Sequence, residues 1–120
     1  MTRKPPEAFL PLKSNWLHIL LSLAGAEQHG YGIMRDVEER SGGELVLQTG
    51  ALYRTLRRML GDGLIQECDA PSRTEISDGR RRYYRPTRFG VAVLNAEVDR
   101  MSKLVRAARL TALGKRPRLA

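Results

Sequence analysis

Apolar side chains recur at helical spacing in four stretches of the chain, and this spacing predicts four helices. The first helix begins at a cap provided by Ser14 or Asn15. Its surface is apolar nearly all round, which indicates burial on more than one side. The second helix covers residues 31–40 and turns Tyr31 toward the core. We interpret His29 and the glycines around Tyr31 as structural, because they permit a tight start to this helix.

The third helix combines an apolar stripe with a row of arginines. Thr49 is its predicted N-cap, and Leu52 and Leu56 lie on one side. Arg54 and Arg57 share another face, from which both guanidinium groups can reach one groove of a nucleic acid. Arginine suits this role because it binds guanine O6 and N7 with two hydrogen bonds. Taken alone, the same helix also fits a surface helix with solvated arginines.

Two extended segments follow the third helix and predict a β-hairpin. Residues 64–68 and 81–85 flank a long polar loop that contains proline and glycine. Alternation places Tyr83 and Tyr84 on opposite faces, so one ring is expected in the core and the other in solvent. Three helices followed by a hairpin indicate a winged helix-turn-helix, mainly α with a small β-hairpin, whose third helix enters the major groove.

The last helix covers residues 87–113 and begins at a cap provided by Thr87. Its apolar residues recur at alternating steps of three and four, which is typical of a coiled coil. Such a seam needs a partner, and the candidates are the first helix and the same helix of a second copy. We expect a homodimer. The predicted dimer interface comprises Trp16, Leu20, Val91, Leu94, Val98, Met101, Val105 and Ala108.

Length and charge narrow the range of functions. The 120 residues suit one domain with an appended helix. We divide them into a flexible arm (1–12), a winged helix-turn-helix domain (13–86), a dimerisation helix (87–113) and a basic tail (114–120). The 21 basic residues exceed the 13 acidic residues and give a net charge of +8. This balance suits a polyanionic partner such as nucleic acid.

The contents of cysteine and histidine argue against several classes of protein. Cys68 is the single cysteine, which excludes an intramolecular disulfide and fits a cytoplasmic location. The two histidines are far apart and form no nucleophile–base pair or metal-ligand spacing, so we expect neither an enzyme, a cofactor nor a metal site. The longest apolar run is too short to span a bilayer, and we expect no membrane partner.

Six motifs in this order resemble the PadR family of bacterial winged-helix repressors. They are Leu20-Leu21-Ser22-Leu23, His29-Gly30-Tyr31-Gly32-Ile33, Gly50-Ala51-Leu52-Tyr53-Arg54-Thr55-Leu56, Asp62-Gly63-Leu64-Ile65, Arg81-Arg82-Tyr83-Tyr84-Arg85 and Thr87-Arg88-Phe89-Gly90. The single C-terminal helix is similar to that of the small subgroup of the family. The resemblance implies a homodimeric transcriptional repressor held together by that helix and the first helix. Pro86 departs from the family pattern, in which an aliphatic residue usually precedes the threonine.

Together these features predict a ligand-responsive homodimeric repressor that reads a palindromic operator in double-stranded DNA with the third helix and the wing. The predicted DNA contacts are Thr49, Gly50, Ala51, Tyr53, Arg54, Thr55, Arg57, Arg58, Arg73, Arg80, Arg81 and Arg82. Trp16, His18 and Met101 form a candidate pocket for a small hydrophobic effector, although plain dimer packing fits them too. Two alternatives stay open: a basic protein that coats nucleic acid without sequence preference, and an adaptor for protein contacts.

Overall fold

A computed structural model describes residues 4–71 and 82–113. Its elements are a 3-10 helix at Pro6–Phe9, α1 at Ser14–Gly25, β1 at Gln28–His29, α2 at Gly30–Arg40, α3 at Thr49–Gly61, β2 at Ile65–Cys68, β3 at Tyr83–Pro86, α4 at Arg88–Ala108 and a π-helical turn at Arg109–Leu113. This order confirms the predicted mainly helical fold, in which three helices precede a small β element and a long last helix.

The β element is a three-stranded antiparallel sheet in the order β1-β3-β2, one strand more than the predicted hairpin. β3 is therefore central, with Ile65 of β2 opposite Pro86 and His29 of β1 opposite Tyr83. β1 could not be predicted, because two residues are too few to show an alternating pattern. Pro86 is tolerated because β1 pairs only with Tyr83 and Tyr84, so β3 has a neighbouring strand on one side alone at Pro86.

The core lies where α1, α2 and α3 meet the sheet and the first half of α4. Its least exposed apolar side chains are Ile19, Leu20, Ile33, Val37, Leu52, Leu56, Met59, Leu64, Ile65 and Val93. The buried residues Trp16, Ile19 and Leu23 of α1 recur at i, i+3 and i+7 and therefore lie on one side of this helix. Leu17 and Leu21, on another side, are only half-buried, so a single chain does not bury α1 on more than one side as its apolar surface had indicated. Leu52, Leu56 and Met59 of α3 thus pack as their helical spacing predicted.

The burial of two tyrosine side chains differs from the sequence-based expectation. Tyr31 is 58% exposed rather than buried, because Ile33 and Val37 occupy the inner face of α2. Tyr83 and Tyr84 are both buried, although one ring was expected in solvent. The reason is the unpredicted strand: the ring of Tyr83 packs edge-on against His29 of β1, with ring centres 5.2 Å apart.

Residues 1–12 were predicted to form a flexible arm, but the described part of this segment packs against another element of the fold. Residues 4–12 lie against α4, where the rings of Phe9 and Phe89 meet edge-on with centres 5.6 Å apart. The backbone N–H of Leu12 donates a hydrogen bond of 3.0 Å to Oε2 of Glu97, a buried carboxylate on α4. Arg100 donates to the same carboxylate through Nη2 at 3.0 Å. The segment is thus fastened to α4 by a paired, buried charge.

The helix starts follow the predictions in part. Thr87 caps α4, because its hydroxyl accepts a hydrogen bond from the backbone N–H of Gly90 at 2.9 Å. Ser14 and Thr49 are instead the first helical residues of α1 and α3, so the cap positions fall one residue earlier. His29 caps α2 through Nδ1, which accepts from the N–H of Gly32 at 3.0 Å.

Candidate nucleic-acid interface

The recognition candidate, α3, is anchored by one face and exposed on the other. Leu52, Leu56 and Met59 are at most 1% exposed and fix the helix to the core. The side chains of Arg54 and Arg57 project from the opposite face. A helix held in this way presents guanidinium groups from a rigid support, which is what readout of base edges requires.

The predicted contacts on α3 fall into two groups. The exposed ones are Thr49, Gly50, Tyr53, Arg54, Arg57 and Arg58. Ala51 and Thr55 are half-buried. The hydroxyl of Thr55 accepts a hydrogen bond of 3.4 Å from Nδ2 of Asn15 on α1, so it faces the neighbouring helix. The structure therefore brings Arg54 and Arg57 together on the open face and turns Thr55 away from it.

Tyr53 holds the other flank of α3. Its ring lies directly on Gly30, the first residue of α2, at a place where a Cβ atom would overlap the phenol. The ring is still 44% exposed. α3 is thus held by a neighbour on each side of Arg54, through Thr55 and α1 on one flank and through Tyr53 and α2 on the other.

The wing contributes basic residues beside α3. Arg82 is exposed, and its Nη1 lies 3.1 Å from Oε1 of Glu67 across the sheet. Arg85 is also exposed on β3, a position that the alternating pattern of the strand could have singled out. Arg73, Arg80 and Arg81 were predicted as contacts but lie outside the described residues.

Cys68, at the end of β2, is half-buried beside an acidic residue. Burial raises the pKa of its thiol, and the nearby carboxylate of Glu27 raises it further. The Sγ–Oε2 distance between these residues is 3.7 Å. A thiol that is held protonated is a poor nucleophile.

An apolar groove runs between α1 and the second half of α4. It has a volume of about 420 Å³ and is lined by Leu17, Leu21, Val98, Met101, Ser102 and Val105. Of the three residues predicted for an effector pocket, Met101 lines the groove. Trp16 instead belongs to the core of its own chain, and His18 is half-buried on α1. The structure therefore does not bring these three residues into one pocket.

The predicted dimer-interface residues also divide into two groups. Val91, Val98, Met101 and Val105 are 40–49% exposed along α4. Trp16, Leu20 and Leu94 are at most 9% exposed within a single chain, and Ala108 is half-buried. The seam of α4 thus packs on its own core at Leu94 and presents apolar side chains to solvent at Val91 before it and at three positions after it.

The sequence model of the family described as "Transcriptional regulator PadR-like family" matches residues 19–96, from the middle of α1 through most of the first half of α4. The chain belongs to the PadR-like family. It is therefore a DNA-binding transcriptional regulator with a winged helix-turn-helix fold. No curated protein matches it in sequence.

Solved structures of other transcription regulators share this fold. A PadR-family regulator from Clostridium difficile is 23% identical, with a TM-score of 0.66 over 82% of this chain and 97% of that one. A transcriptional regulator from Clostridium thermocellum is 19% identical, with a TM-score of 0.65 over 82% and 89%. PadR from Bacillus subtilis in complex with operator DNA is 21% identical, with a TM-score of 0.58 over 72% and 47%.

Two further features bear on the partners of this PadR-family chain. Within residues 4–71 and 82–113, no helix is both long and apolar enough to cross a membrane. In the same described residues, no group of three or more His, Cys, Asp or Glu side chains is placed to hold a metal ion.

Proposed function

We propose that this PadR-family regulator is a homodimeric repressor that reads a palindromic operator with α3 and the wing. The observation that carries the proposal is the pair of exposed arginines, Arg54 and Arg57, on a helix fixed at its inner face and at both flanks. Each guanidinium group of such a pair can bind one guanine. Arg82 and Arg85 of the wing supply phosphate contacts, which set the position of the protein on the duplex without reading sequence.

The proposal of a dimer rests on α4 and the groove beside it. Val98, Met101 and Val105 form a row of exposed apolar side chains that a single chain leaves in water. A second copy of the same helix buries this row by two-fold symmetry. Two copies of α3 then lie about 34 Å apart, one turn of the duplex, and this spacing makes the operator palindromic.

The groove is also our candidate for an effector site. Its lining is almost wholly apolar and its volume of about 420 Å³ suits a small hydrophobic compound. Because it lies on α1 and α4, an occupant would alter how two copies pack and so the distance between their α3 helices. We place the protein in the cytoplasm, where such a regulator meets its DNA.

Selection of bound sequences from a random duplex pool, at about 50 mM and about 200 mM salt, tests this function. An inverted repeat with half-sites about one turn apart is the expected result. A flat sequence profile with affinity that falls steeply with salt would instead favour the protein that coats nucleic acid. Absence of binding to any duplex at the lower salt concentration would favour the protein-contact adaptor.

A further inference from the structure

The contact between Tyr53 and Gly30 has features that a simple surface contact lacks. Gly30 is buried at the start of α2, and the space beside its Cα is filled by the phenol ring of Tyr53. A Cβ atom at position 30 would lie 2.8 Å from Cζ of that ring and closer still to the hydroxyl. The ring therefore occupies space that only glycine leaves open.

The place of Tyr53 in the sequence links this contact to readout. Tyr53 precedes Arg54 directly, and Thr55, which follows, faces Asn15 of α1 through a bond of 3.4 Å. That bond is long and therefore weak. The firmer lateral support of the exposed face of α3 is the ring on Gly30.

We infer that Tyr53 is a positioning residue, whose ring on Gly30 sets the orientation in which α3 presents Arg54 and Arg57 to base edges. The inference rests on the proposed function, and it replaces a direct contact between the Tyr53 hydroxyl and DNA. Bidentate bonds to a base tolerate little displacement, whereas phosphate contacts tolerate more. Loss of the support therefore lowers sequence preference more than overall affinity for DNA.

Two matched glycine variants on α2 separate this effect from general damage. Gly30→Ala adds a methyl group that displaces the tip of Tyr53, a half-exposed ring. Gly32→Ala adds the same methyl group two residues along, where it meets the amide end of the Gln28 side chain and comes into ordinary contact with the ring of His29. Neither change opposes the helix, since alanine is a better helix former than glycine. Both variants are expected to fold.

Binding is measured on the duplex that the wild-type protein selects and on a random duplex of equal length. We expect Gly30→Ala to bind the selected duplex about tenfold more weakly, which corresponds to one lost base contact, and the random duplex unchanged within about twofold. Gly32→Ala should match the wild type on both within about twofold. Equal binding by both variants to the selected duplex would overturn the inference.

A double-mutant cycle with Tyr53→Ala completes the test. If the ring acts through Gly30, then Gly30→Ala causes no further loss in the Tyr53→Ala background, and Tyr53→Phe keeps the preference for the selected duplex. Additive losses, or a Tyr53→Phe variant as weak as Tyr53→Ala, would assign the hydroxyl a direct contact with DNA. A wild-type protein without sequence preference would refute the proposed function itself, and there would then be no readout for Tyr53 to position.

Discussion

Arg54 lies at the middle of the exposed face of α3, between the flanking contacts of Tyr53 and Thr55. We predict that Arg54→Ala loses at least about 1 kcal/mol of binding free energy on the selected duplex, the value of one base contact. The measurement is a fluorescence anisotropy titration at fixed salt. Arg40→Ala is the matched control, because that guanidinium group binds Asp36 at 3.0 Å on α2. An equal loss on random DNA would make Arg54 a phosphate contact.

Glu97 offers a second test at the residue scale. The hydrogen bonds from Arg100 hold the pKa of Glu97 below its ordinary value of 4.5, against the opposing effect of burial. The carboxylate therefore stabilises the fold fully above about pH 4.5, and this contribution is lost as the pH falls through the lower folded-state pKa.

We predict that Glu97→Gln lowers the free energy of unfolding at pH 7 by about 2 kcal/mol, because bonds to a charged acceptor are lost. The variant should also lose less stability than the wild type between pH 5 and pH 3, which are about the limits set by carboxyl titration. Denaturant unfolding at several pH values checks both points. The control is Asp99→Asn, which removes an exposed partner of Lys103 and should change little. Parallel pH profiles for Glu97→Gln and wild type would contradict the assignment.

Residue patterns predicted burial well where a helix had one clear apolar face. The inner positions of α3 are buried as their spacing indicated, and Thr87 caps α4. Tyr31 was placed wrongly because its spacing of three residues from Met34 fits a shared face, although it lies about 120° from the buried Val37 around the helix. It is in the first turn of α2, beside His29. The ring centres of Tyr31 and His29 are 6.4 Å apart. Such local stacking of rings cannot be predicted from the helical spacing of apolar residues.

At the scale of elements, α4 begins unusually close to the sheet. The amide of Thr87 donates to the carbonyl of Leu64 at 3.0 Å, and a Cβ at Gly90 would overlap that same backbone carbonyl. We predict that Gly90→Ala destabilises the protein by more than about 3 kcal/mol, because backbone on one side must move. Thermal unfolding checks this prediction.

Gly25→Ala, at the end of α1, is the matched control for the Gly90 variant. A methyl group at position 25 meets open space among the described residues, and the φ of Gly25 suits an L-residue. We expect its stability to rise by about 0.5 kcal/mol through reduced entropy of the unfolded chain. A Gly90→Ala variant as stable as Gly25→Ala would show that α4 can move away from Leu64.

The exposed row on α4 gives a prediction about assembly. Val98→Asp should convert the proposed dimer to a monomer, because a charge would be buried without a partner in the interface. Ala107→Asp is the control, since Ala107 is exposed on nearly the opposite side of α4. Light scattering with size exclusion distinguishes the two masses. A Val98→Asp variant that keeps the mass of a dimer would place the interface elsewhere.

The order of the helices and of the hairpin strands could be predicted from the sequence, but the third strand of the sheet could not. β2 and β3 follow from alternation and the polar loop between them. β1 consists of only two residues. It is recognisable as a strand only by its pairing with Tyr83 and Tyr84, which lie more than fifty positions later in the chain. Because this pairing depends on tertiary contacts, the local sequence pattern could not predict it.

At the scale of the whole molecule, charge is distributed unevenly between the helices. The net charge of +8 suits DNA, yet α2 is close to neutral, because Arg35 and Arg40 pair with Glu39 and Asp36 and leave only Glu38 over. A duplex is therefore attracted toward α3, which carries three arginines and no acidic residue, rather than toward α2. This asymmetry orients the encounter before any base is read.

The division of α4 into two halves has a consequence for how related regulators coexist in one cell. A substitution at Leu94 affects the fold of a single chain, since that side chain is 6% exposed. Substitutions at Val98, Met101 and Val105 would leave the core intact and change only the surface that the proposed dimer buries. Duplicated copies of such a gene could therefore diverge in their choice of partner without losing stability. Repulsive combinations at the outer half of this one helix would suffice to prevent mispairing between them.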